Sequence, residues 1–110
     1  MSHITRIKTR IVDKELLLEA LRDLGFSPEE GEFVIQGHAS AQETVTIRVP
    51  VRLSHPIGLR WKDDAFEIIA DWWGMHRLTQ AEFSRSLMQR YAYLAARKKL
   101  EEQGATVEIK

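Results

Sequence analysis

The stretch Leu59-Arg60-Trp61-Lys62-Asp63-Asp64-Ala65-Phe66-Glu67-Ile68-Ile69-Ala70 reads as a β-hairpin. Leu59 and Trp61 alternate with Arg60 and Lys62 before the turn, and Phe66, Ile68 and Ala70 form the inward set after it. Asp63-Asp64 suits a tight two-residue turn, because Asp tolerates the left-handed backbone such turns need. Leu59 shares its parity with Trp61, which predicts that the Trp61 ring faces the core.

Toward the N-terminus, Val45, Ile47, Val49, Val51 and Leu53 alternate with Thr46, Arg48, Pro50 and Arg52, predicting another strand. Pro50 has no N–H to give a ladder, so this strand lies at an edge or bends there. Residues 37–42 and 54–58 read as loops, residues 27–31 as a turn, and residues 33–35 as a short strand. A helix is predicted over residues 14–24. Asp13 is its N-cap, Leu17, Leu21 and Leu24 its apolar stripe, and Gly25 its stop. Residues 4–11 alternate again, with Ile7 and Ile11 on one face and Arg6, Lys8 and Arg10 on the other.

Toward the C-terminus, residues 72–78 form a connection. Thr79 and Glu82 make a capping box, and a long helix follows over residues 80–103. Phe83, Leu87, Tyr91, Leu94 and Ala95 are its apolar stripe. Gly104 ends it, and Val107 and Ile109 suggest a last strand. Helices separated by hairpin strands indicate an α+β fold. We expect a two-layer sandwich, an antiparallel sheet with two helices on one face. A ferredoxin-like variant with an enlarged central meander fits best.

The chain has 110 residues, 44% hydrophobic and 29% charged, which is one globular domain over residues 1–110. Cysteine is absent, so disulfides and thiolate chemistry are excluded. Sixteen basic and 16 acidic residues cancel, which argues against nucleic acid as the partner of the whole chain. The charges are segregated along the chain, however. Residues 13–43 hold Asp13, Glu15, Glu19, Asp23, Glu29, Glu30, Glu32 and Glu43 against Lys14 and Arg22. Arg6, Lys8 and Arg10 come at once, with no cleavable apolar stretch before them, and no window suits a bilayer span. A cytoplasmic protein without membrane contact is expected.

Several stretches carry a family resemblance. They are Met1-Ser2-His3 with Ile7-Lys8-Thr9, Asp23-Leu24-Gly25-Phe26, and Ile57-Gly58-Leu59 with Trp61. Ala70-Asp71 and Gln89-Arg90-Tyr91-Ala92-Tyr93 leading to Gln103-Gly104 complete the set. The chain resembles the hypothetical chloroplast reading frame thirty-five family, also known as domain of unknown function 1257. The resemblance covers nearly the whole chain and is thinnest over residues 27–56. It implies no catalytic residue and no cofactor. It does imply an accessory or adaptor role, with an AAA-type ATPase as a partner.

The candidate chemistry follows from residue placement. Arg6, Lys8, Arg10, Arg48, Arg52, Arg60 and Lys62 all oppose the apolar faces of their strands. On one sheet they would line an open basic face suited to a protein partner, a second copy, or single-stranded nucleic acid. Trp72 and Trp73 have opposite parities, so one of them, with His76 nearby, is a candidate interface anchor. The histidines lack metal-ligand spacing, and nucleophile and phosphate-loop motifs are missing, so neither a metal nor a cofactor is expected. A rival reading places a small-ligand, metal-binding or catalytic pocket among His3, Trp61 and Asp71. The main expectation is a small non-enzymatic adaptor protein that binds another protein.

Overall fold

The computed structural model of the chain describes residues 4–37, 40–72 and 78–104. Strands β1 (Ile4–Lys8), β2 (Glu29–Gln36), β3 (Gln42–Val49), β4 (Ile57–Lys62) and β5 (Ala65–Asp71) form one sheet. Helix α1 (Lys14–Asp23) follows β1, and α2 (Gln80–Glu102) follows β5. The sheet order is β1-β5-β4-β3-β2, with every neighbouring pair antiparallel. Among the described residues, helix α1 therefore carries the chain from one end of the sheet, β1, to the other, β2, and the meander β2 to β5 brings it back beside β1. This is the expected two-layer α+β sandwich with an enlarged meander. The last strand expected around Val107 and Ile109 lies outside the described residues.

Local signals set the helix ends. The Asp13 carboxylate accepts from Leu16 N–H at 3.2 Å. Gly25, at φ 93°, closes α1, donating to Arg22 O at 2.9 Å while Phe26 donates to Leu21 O at 3.0 Å. These two bonds satisfy carbonyls that a helix end would otherwise leave open. The Thr79 hydroxyl accepts from Glu82 N–H at 3.1 Å and opens α2.

Both helices pack on one sheet face. Leu17 and Leu21 of α1 and Phe83, Leu87 and Leu94 of α2 are buried against Ile47, Leu59, Phe66 and Ile68. Each such side chain contributes about 1.5–3 kcal/mol through burial. The Tyr91 hydroxyl accepts from Val12 and Asp13 N–H, each at 3.1 Å, and so ties α2 to the entry of α1.

Three strand expectations change. Strand β2 starts at Glu29, inside the expected turn, and runs to Gln36. Strand β3 ends at Val49, before Pro50, because proline cannot extend the ladder. Leu53 then adopts φ 58° in the loop to β4 and is 76% exposed. Most important, the face away from the helices is not open. Val45 and Ile47 are only two residues apart, yet Ile47 packs under the helices and Val45 belongs to a second cluster with Ile35 and Ile69. The ladder between β2 and β3 shifts register between Glu30 and Phe33, and β3 pairs with β4 only over residues 47–49. The far half of the β2–β3 hairpin leaves the sheet plane and folds over β4, β5 and Ile4. Bulges of this kind bend a strand pair and increase its twist.

The β4–β5 turn is the tight one expected. Lys62 pairs with Ala65, and Asp63 and Asp64 take φ 51° and 77°. Two non-glycine residues in the left-handed region are strained, and Asp-Gly is the commoner solution. Asp64→Gly is expected to stabilise the fold by about 1 kcal/mol, read as a higher thermal midpoint. A lower midpoint would mean that the Asp64 side chain stabilises the turn.

Candidate interaction surface

The basic residues do not form one free patch. Arg6 and Lys8 lie on β1, Arg48 on β3, and Arg60 and Lys62 on β4. Arg52 lies in the loop after β3 rather than in a strand. The folded-over hairpin brings Glu43 onto both Arg6 and Arg60. Arg60 Nη1 lies 3.1 Å from Glu43, and Arg60 Nη2 lies 3.1 Å from Glu67. Register explains part of this, because Lys8, Glu67 and Arg60 stand side by side on β1, β5 and β4. Charges of alternating sign on facing strands attract. Arg60, Glu43 and Glu67 are largely shielded from water, so removing one would strand the others. Charge reversal at Arg60 therefore tests folding rather than binding.

Arg48 is likewise engaged. Its Nε lies 2.7 Å from Glu29, and its guanidinium sits 4.5 Å from the centre of the Phe33 ring. Six of the eight acids of residues 13–43 are paired within the fold too. Lys14 meets Glu30, Arg90 meets Asp23, Arg97 meets Glu19, and Lys98 meets Asp13. The Lys98 ammonium, helped by the Leu16 N–H, holds the Asp13 carboxyl below its usual range.

What stays outward is the tip of the β4–β5 hairpin. Trp61 is 51% exposed, against the expectation that it lies in the core. Its parity is that of Leu59, but β3 has already diverged from β4 beyond Leu59, so Trp61 stands clear of the sheet. Its ring rests edge-on against Phe66, with centroids 5.3 Å apart and planes at 79°. Phe66 in turn accepts from Thr9 N–H and donates to Ile11 O, so Arg10 bulges out opposite it. The Lys8 ammonium donates to the carbonyls of Lys62 and Asp63 and braces the turn. Trp61, Lys62, Lys8 and Arg10 therefore share one end of the sheet.

The other candidates are placed differently. Trp72 is half-buried, 6.0 Å from Phe83, which itself meets Phe26 edge-on at 5.6 Å. It caps the end of the core. Trp73, His76 and His3 lie outside the described residues. Asp71 is buried opposite Ile4, at the far end of β5 from Phe66 and Trp61. Five residues of strand separate the two ends by roughly 16 Å, so Trp61 and Asp71 do not line a common pocket. Among the described residues no three His, Asp or Glu side chains converge as metal ligands.

Residue reasoning missed Glu43 as the junction of the face. Its only local signal is an acid on a strand whose neighbours are apolar or neutral.

A family model described as "Protein of unknown function (DUF1257)" matches residues 20–110. The "Uncharacterized protein ycf35" of Pyropia yezoensis is 35% identical over 106 residues, covering 94% of this chain and 82% of its own. That of Cyanophora paradoxa is 32% identical over 95 residues, covering 84% and 73%. That of Guillardia theta is 30% identical over 94 residues, covering 84% and 73%. No solved structure gives a significant match.

Proposed function

The chain belongs to the DUF1257 family of proteins of unknown function, and we propose that it is a small non-enzymatic accessory protein that binds another protein in the cytoplasm. The observation that supports this most is Trp61. A large ring held half-exposed on a braced hairpin gives up burial that a core position would provide. Trp and Arg are the residues that most often dominate interface energy. Lys62, Lys8 and Arg10 around it favour an acidic segment on the partner. No helix of the described residues is long and apolar enough to cross a membrane.

Affinity capture from host lysate tests the reading, with wild type and Trp61→Ala compared on nuclease-treated and untreated halves by mass spectrometry. We expect a stoichiometric protein, an AAA-type ATPase being the first candidate, that survives nuclease and is lost with Trp61→Ala. Trp61 is exposed enough for that variant to fold. Equal capture by wild type and variant would overturn the assignment to the hairpin tip. Loss of every bound species on nuclease treatment would replace protein with nucleic acid.

A further inference from the structure

The loop between β3 and β4, residues 50–56, pairs a residue with a conformation that suits it poorly. Leu53 sits at φ 58° and is 76% exposed. An L-residue with a branched apolar side chain is strained in the left-handed region, which Gly or Asn occupies readily. A loop with no further role would be more stable with Gly or Asn there.

Beside Leu53 lies a cleft of about 220 Å³ lined by Glu29, Arg48, Pro50, Val51, Ser54 and Pro56. Its walls are stiff. Pro50 and Pro56 fix the backbone at two points of the loop. Ser54 N–H donates to Val51 O at 3.1 Å, and Arg48 is held by Glu29 and the Phe33 ring. Val51 and the two prolines make part of the lining apolar. Glu29 is half-exposed and can meet an incoming cation, although it already holds Arg48. Arg52, next to Leu53, is exposed and has no carboxylate partner among the described residues.

We propose that this loop is a self-complementary contact through which two copies of the chain associate. Leu53 of each copy seats in the cleft of the other, and Arg52 approaches the facing Glu29. A protruding side chain and a receptive cleft on the same short loop meet the condition for a two-fold contact, in which each copy gives what it receives. Arg48 also lines the cleft and engages Glu29 Oε1, and the other carboxylate oxygen of this half-exposed side chain receives Arg52. The contact lies at the opposite end of β4 from Trp61, so it leaves both hairpin tips free and goes beyond the partner-binding reading.

Light scattering after size exclusion, on purified chain from micromolar to near-millimolar concentration, tests the proposal. Wild type is expected to rise from monomer toward dimer mass. Leu53→Asn keeps a residue suited to the left-handed backbone and removes the apolar protrusion. It should remain monomeric at every concentration, with a thermal midpoint no lower than that of wild type. Arg52→Glu should weaken the dimer at least tenfold, by facing Glu29 with a like charge. A wild type that is monomeric throughout overturns the proposal. So does a Leu53→Asn or Arg52→Glu dimer as tight as wild type.

Discussion

Gly58→Val is expected to destabilise the fold by about 3 kcal/mol, because the space over Gly58 is already filled. A Cβ there would lie 2.6 Å from Val45 Cγ1 and 2.7 Å from Ile35 Cγ1. Both neighbours are β-branched and buried, so neither can rotate away cheaply. Gly58 is the floor on which the folded hairpin rests. Its replacement should lift the hairpin, expose Ile69, and pull Glu43 from Arg6 and Arg60. Denaturant unfolding checks the size of the loss, and hydrogen exchange checks its place, with amides over residues 33–45 losing protection before those of β5. Val45→Ala in the same chain should restore part of the stability by clearing two of the clashing methyls. Wild-type stability in Gly58→Val would mean that the hairpin does not lie on β4.

Phe83→Ala is expected to cost about 4 kcal/mol, the other large effect in the molecule. Phe83 is 1% exposed and is among the largest fully buried side chains. It lies between Phe26, after α1, and Trp72, after β5. Its removal would leave a cavity where both helices and the sheet meet. A domain of this size shifts by roughly 4–8 °C for each kcal/mol, so the thermal midpoint should fall by roughly 15 °C or more. Trp72 would lose its aromatic neighbour, and its fluorescence should move to the red. A loss under about 1 kcal/mol would show that the first turns of α2 are not docked on the sheet.

The elements whose signals are local were legible in the sequence. Asp13 and Gly25 bound α1, Thr79 and Gly104 bound α2, and Asp63-Asp64 marks the hairpin turn, each by chemistry confined to a few neighbouring residues. The two-layer architecture follows from the apolar stripes those elements must bury. The surface was less legible. Parity assigned Trp61 to the core correctly as to face, yet burial also requires a neighbouring strand, and β3 had turned away. Parity carried the β3 reading through Leu53, although Pro50 signalled the end of the ladder.

The sequence by itself determined the element order, the caps, the turns and the inward face of most strands, because side-chain period and capping are properties of short segments. Tertiary structure alone decided what the charges do. Glu43 meets Arg6 across 37 positions and Arg60 across 17, through a hairpin that bends where its ladder slips. Coulomb attraction depends on distance in space, and position along the chain does not reveal that distance. Arg6, Arg48 and Arg60, which read in sequence as part of one basic face, therefore fold into ion pairs, while Trp61 at one end of β4 and Leu53 at the other stay exposed.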